Sequence, residues 1–123
     1  MELKRVVVTG LGALTPIGNN VNEYWDNLIS GKSGAAPITY FDTEKFKTKF
    51  ACELKGFNAL EFLDRKEARK MDRFTQYAMV ASEEAISDSK IDIESIDSYR
   101  AGVIWGSGIG GIETFQNEVI NFA

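Results

Sequence analysis

Val6-Val7-Val8-Thr9-Gly10-Leu11-Gly12, running on into Ala13-Leu14-Thr15-Pro16-Ile17-Gly18, is the stretch on which the reading of the fold turns. Three consecutive β-branched residues without alternation suit a strand covered on both faces, as parallel strands in α/β sheets are. Gly10 and Gly12 then allow close backbone approach, while Pro16 and Gly18 shape a loop. Ala101-Gly102-Val103-Ile104-Trp105-Gly106 is a second candidate strand of the same kind. Between the two lie a pair of helical patterns. Residues 22–30 place Tyr24, Trp25, Leu28 and Ile29 at helical spacing, with Asn22 as the N-cap and Gly31 at the stop position. Residues 72–89 repeat Phe74, Tyr77, Ala78, Ala81 and Ala85 at three- and four-residue intervals. Strand, helix, helix, strand predicts the α/β class. Phe50, Cys52 and Leu54 alternate with Ala51 and Glu53, which predicts a short strand with one buried face inside a less regular excursion over 31–63. Ile112, Phe115, Val119, Ile120 and Phe122 predict a further amphipathic helix. That pattern runs into Ala123 without a cap or polar tail, so the chain is expected to be cut within an element.

With 44% hydrophobic and 26% charged residues in 123, the composition is that of an ordinary globular protein, and one compact unit is expected. A net charge of −4 argues against nonspecific nucleic-acid binding, which needs an excess of Lys and Arg to neutralise phosphates. The start Met1-Glu2-Leu3-Lys4-Arg5 and the three valines after it are too short for a signal-peptide core or a membrane span, so a cytoplasmic protein is expected. A single cysteine, Cys52, fits a reducing compartment. The sequence contains no histidine, which excludes within it any imidazole base and any His-based metal site.

Four segments contain residues that carry chemistry. The glycine turn after the valines would need glycine or alanine at position 15 to serve as a dinucleotide fingerprint, and has Thr15 followed by Pro16. Gly106-Ser107-Gly108-Ile109-Gly110-Gly111 has the outer spacing of a phosphate loop but continues into Ile112-Glu113 where Lys and Ser or Thr are required. It fits a substrate pocket or a plain tight turn equally, with Ile109 as its one large side chain. In residues 64–73 five cations stand against three anions, and cations four apart would form a ridge on a helix. Such a ridge is either a solvated face or a dock for an acidic partner. Cys52 has no histidine to activate it, and its alternation with Phe50 and Leu54 predicts a small buried apolar group.

Taken in order, VVVTGLGALTPIG at 6–18, the W-x-x-L-x-x-G-x-S-G pattern at 25–34, Phe41-Asp42, RKMDRFTQYA at 69–78 and GSGIGG at 106–111 resemble the bacterial β-ketoacyl-acyl-carrier-protein synthases, most closely the type II elongating enzymes. The resemblance spans the chain. It implies a thiolase-like α/β fold of layered helix, sheet and helix, of which residues 1–123 would be the amino-terminal portion of the first half. It also implies condensation of an acyl thioester with malonyl-acyl carrier protein, with no redox or nucleotide cofactor, no metal, no nucleic-acid or membrane partner, and a homodimer when complete. The family's catalytic cysteine and two histidines have no counterpart among these residues, so the 123 residues alone are expected to be inactive. A non-catalytic carrier-binding or partner subunit is the alternative. By motif, Lys66, Arg69 and Lys70 match positions that contact the acidic surface of acyl carrier protein, and the neighbouring Arg65 is expected to assist them. Ile109 matches the residue that lines and gates the acyl pocket, where a β-branched side chain between glycines can block a narrow channel or move aside. Trp105 departs from the smaller aliphatic residue common before this loop.

Overall fold

The computed structural model describes residues 3–123. Met1 and Glu2, the first residues of the short polar start, lie outside the described residues. Where one unit was expected, the chain divides into two compact units: Ala13–Phe57, and Met1–Gly12 together with Asn58–Ala123.

The Ala13–Phe57 unit is built from a turn, a helix and a short hairpin-like pairing. Thr15 and Gly18 exchange backbone hydrogen bonds of 2.8 and 3.1 Å around Pro16-Ile17, and the Thr15 hydroxyl also donates to the Gly18 carbonyl. Helix α1, Val21–Ile29, starts from Asn20 and not from Asn22: the Asn20 side chain accepts from the Glu23 N–H at 2.9 Å. Glu23 in turn accepts from the Asn19 N–H at 2.8 Å, a reciprocal arrangement close to a capping box. The helix stops at Ser30, and Gly31 takes φ +70, the left-handed position that glycine occupies without a β-carbon penalty. Strands β1, Ala36–Pro37, and β2, Phe50–Ala51, pair antiparallel with Ala36 opposite Ala51.

This short ladder reverses the alternation read from the sequence. Phe50 is 65% exposed and Cys52 is exposed, whereas Ala51 is the half-buried member. Cys52 lies just past the paired residues, so the ladder does not draw it inward. It is not the buried apolar group that its spacing predicted.

The second unit is organised by helix α3, Arg73–Ser89, which matches the periodicity of that segment to within one residue. Its inward face is small: Ala78, Val80 and Ala81 are buried, and Phe74, Tyr77 and Ala85 are half-buried. The glycines of the amino-terminal segment lie against that face. A β-carbon on Gly12 would overlap the Ala81 carbonyl and come within 2.9 Å of the Ala85 nitrogen. On Gly10 it would overlap the Ala85 carbonyl and come within 2.6 Å of the Ser89 nitrogen. Two residues of extended chain cover about 6.6 Å, close to the roughly 6 Å of four helical residues, so a glycine spacing of two fits a helical spacing of four. Between the glycines, the Leu11 N–H donates to the Asp88 carboxylate at 2.9 Å.

The remaining elements of this unit are short or irregular. Helix α2, Arg65–Ala68, is a single turn capped by Asp64, whose side chain accepts from the Lys66 N–H at 2.7 Å. Helix α4, Ile112–Phe122, follows Gly111 at φ +69. Residues 5–12 and 101–106, expected as strands, carry no ladder among the described residues. Val6 is 88% exposed and Ile104 fully exposed, so neither run has the cover on two faces that its composition suits.

Two stability measurements test this packing. Gly12→Ala drives a β-carbon into helical backbone, which cannot rotate away, and is expected to destabilise the protein by roughly 2–3 kcal/mol in urea unfolding; an unchanged midpoint would remove the close approach. Lys90 ends α3 in the left-handed region at φ 55. Lys90→Gly is therefore expected to raise stability by about 1 kcal/mol, and a loss of stability would contradict that backbone conformation.

Candidate functional site

The sequence-derived site residues lie in the second unit, in two segments that meet the start of α3. Arg65, Lys66, Arg69 and Lys70 are all exposed. Because α2 ends at Ala68 and the chain turns over 69–71, the basic run forms one tight turn and not a long ridge. Arg65 with Arg69 and Lys66 with Lys70 still share that turn. Arg73 has passed to α3, where it faces Glu113 at 3.4 Å and is engaged away from the basic cluster. Lys70 is held by Glu67 at 2.7 Å, both side chains more than half exposed. Among the described residues Arg65, Lys66 and Arg69 make no ion pair, which leaves them as the available cations.

Gln76 ties this turn to α3. Its side-chain amide donates to the Ala68 carbonyl at 2.8 Å and to the Met71 carbonyl at 3.2 Å. The Ala68 carbonyl, at the end of α2, also accepts the Met71 N–H at 3.3 Å, so the Gln76 amide reinforces a turn that already closes that helix end. Ala68 is buried at 5% exposure, so a one-turn helix that could not stand alone is anchored by one small side chain and one amide.

On the other side of the α3 start lies the glycine loop. Ile109 is 72% exposed within the turn 108–110. Gly106 and Gly108 have open space where a side chain would be, while a β-carbon on Gly110 would come within 3.0 Å of the Phe74 ring. Gly111 sits against Asp72, whose carboxylate accepts the Thr114 hydroxyl. The loop is seated at its carboxyl-terminal end and open at its beginning. The described residues do not enclose a channel around Ile109. Trp105, just before the loop, is half-exposed.

Two further observations bear on the other readings. The cleft beside the Thr15–Gly18 turn, lined by Pro16, Ile17, Asn19, Glu23, Lys32 and Lys55, holds about 60 Å3, well below the roughly 300 Å3 of small ligand pockets. No nucleotide fits it. A larger apolar groove of about 430 Å3, lined by Ile86, Ile91, Ile93, Ile96, Ala101 and Val103, lies in the second unit. Among the described residues no group of three potential metal ligands comes together, and no helix is long and apolar enough to cross a membrane.

Asp72 and Thr114 were not singled out by the sequence reading, which counted Asp72 only as an anion offsetting the basic run. A signal existed: Asp immediately before a helical pattern is a capping residue. Nothing in the spacing, however, pairs it with a threonine forty-two positions on.

Comparison with known proteins bears on the family and the fold. Residues 3–121 match the family model described as beta-ketoacyl synthase, N-terminal domain. The chain is 48% identical over 118 residues to 3-oxoacyl-[acyl-carrier-protein] synthase 2 of Synechocystis, covering 96% of this chain and 28% of that protein. It thus spans little more than a quarter of that relative's length. A crystal structure of a beta-ketoacyl synthase from Burkholderia phymatum superposes with a TM-score of 0.73 at 31% identity, over 98% of this chain and 31% of the other. A type II PKS ketosynthase solved in complex with its acyl-carrier protein matches at TM-score 0.54 and 26% identity, over 74% and 23%.

Proposed function

This chain belongs to the beta-ketoacyl synthase family through its N-terminal domain and has that family's thiolase-like α/β fold, and from that premise we propose that the protein it forms part of condenses an acyl thioester with malonyl-acyl carrier protein in fatty-acid elongation. In this reading residues 1–123 are the amino-terminal portion of the first thiolase-like half. The acyl chain passes from its carrier to an active-site cysteine, the malonyl thioester loses carbon dioxide, and the resulting carbanion attacks the acyl thioester. A thiolate suits both roles, nucleophile and leaving group, and backbone N–H donors suit the tetrahedral oxyanion. With no histidine in the sequence and Cys52 lying beyond β2, the 123 residues alone are inert in that reaction. Their part is recognition.

The observation that carries this reading is the placement of both recognition segments on the first turn of α3. Gln76 holds the basic turn there, and Asp72 and Phe74 seat the glycine loop. Arg65, Lys66 and Arg69 offer unpaired positive charge to the acidic surface of a carrier protein. The relative solved with its acyl-carrier protein supports such a partner. Ile109, next to the seated end of the loop, lines the path of the acyl chain. The complete protein acts in the cytoplasm as a homodimer, without a bound redox or nucleotide cofactor.

In the complete protein, charge reversal at Lys66 and Arg69 is expected to weaken carrier-protein binding about tenfold at low salt, and less at high salt. Reversal at Lys70 is expected to cost less, because Glu67 already neutralises it. Titration of labelled carrier protein measures this, and unchanged affinity across the series would remove the docking role. Ile109→Phe is expected to shift the ratio of kcat/KM between short and long acyl substrates toward the short by roughly tenfold; an unaltered profile counts against the gate. Carbon dioxide release from malonyl-carrier protein separates the condensing enzyme from a non-catalytic carrier-binding subunit, which would bind the carrier and release none.

A further inference from the structure

Asp72 occupies the N-cap position of a seventeen-residue helix, with φ −63 and ψ 157, yet its side chain makes no cap hydrogen bond to α3. An aspartate there ordinarily accepts from the second or third N–H of its own helix. Here one carboxylate oxygen accepts from the Thr114 hydroxyl in the first turn of α4. The other lies 3.0 Å from the place a Gly111 β-carbon would occupy. Gly111, the N-cap of α4, has no side chain with which to cap that helix. One carboxylate therefore stands at the amino-terminal ends of two helices, where both macrodipoles favour negative charge. Glu113 and Arg73 bring the same two helix starts together at 3.4 Å, through side chains half exposed or more.

This seat has a consequence for Ile109. A β-carbon on Gly106 or Gly108 would meet nothing within 4 Å, and Ile109 itself is 72% exposed, so its own packing does not hold it. What holds it is the chain immediately after it: Gly110 against the Phe74 ring and Gly111 against Asp72. A hydrogen bond from a hydroxyl to an ionised carboxylate is among the stronger side-chain bonds and is directional. We propose that Asp72, acting through Thr114, is a positioning residue that sets where the Ile109 loop stands and thereby which acyl chain lengths the complete enzyme accepts. The proposal rests on the reading of Ile109 as a wall of the acyl path.

The test uses the complete enzyme that carries this segment, with kcat and KM measured on carrier-bound acyl thioesters of graded length for Thr114→Val, Thr114→Ser and Ile109→Phe. Thr114 is exposed, so valine meets no packing obstacle, and Thr114→Ala serves as a second variant lacking the hydroxyl. Thr114→Val is expected to change the long-to-short ratio of kcat/KM about fivefold or more, with Thr114→Ser within about twofold of the parent because serine keeps the donor. A Thr114→Val profile equal to the parent's overturns the proposal, as does a serine variant that shifts as far as the valine. If Ile109→Phe shifts the profile and Thr114→Val does not, the positioning role alone has failed. If Ile109→Phe leaves the profile unchanged, the gate reading has failed and the proposal falls with it.

Discussion

The carbonyls of Ala81 and Ala85 stand where β-carbons on Gly12 and Gly10 would be, and the larger unit depends on that contact. Helix α3 presents alanines to the amino-terminal segment, and the segment answers with glycines, so backbone meets backbone at a distance no other residue pair permits. Between the two glycines the Leu11 N–H donates to Asp88, which adds a polar tie between the segment and the helix. A helix of seventeen residues with buried alanines and half-buried Phe74 and Tyr77 becomes the scaffold to which the shorter elements attach.

At its amino-terminal end the same helix gathers the basic turn and the glycine loop. The basic turn is attached through the Gln76 amide, the glycine loop through Asp72, Phe74 and the Arg73–Glu113 pair. Charge is sorted by these contacts. Arg73 and Lys70 are engaged by carboxylates, whereas Arg65, Lys66 and Arg69 face solvent without an ion pair among the described residues. The patch of unpaired positive charge is therefore smaller and more sharply placed than the run of cations in the sequence implies.

Much apolar surface remains exposed, including Val6 and Val8, Ile104, Phe115 and Phe122. Burial belongs to a residue and its neighbour jointly. The valine run has the composition of a strand covered on two faces, but α3 meets that segment at Gly10 and Gly12, beyond the valines. Similarly, β2 is two residues long, and its pairing with Ala36 and Pro37 places Ala51 inward and leaves Phe50 out. Alternation marks two faces but does not say which of them finds cover.

The sequence by itself determined the family, through ordered motifs from Val6 to Gly111, and the helices α1, α3 and α4, because helical periodicity and stop signals are local. It also located the basic run and Ile109, since charge runs and glycine-flanked side chains are visible in a few adjacent residues, but read the run as a helical ridge where the chain forms a turn. Tertiary structure decided what depends on distant partners. It turned Cys52 outward, withheld ladders from 5–12 and 101–106, and set Asp72 against Thr114, whereas the choice of Asn20 over Asn22 as the cap of α1 rests on a bond to Glu23 only three residues on. The physical reason is common to these three. A hydrogen bond or a buried face is settled by whichever group arrives at the other side, and that group is not written in the residues nearby.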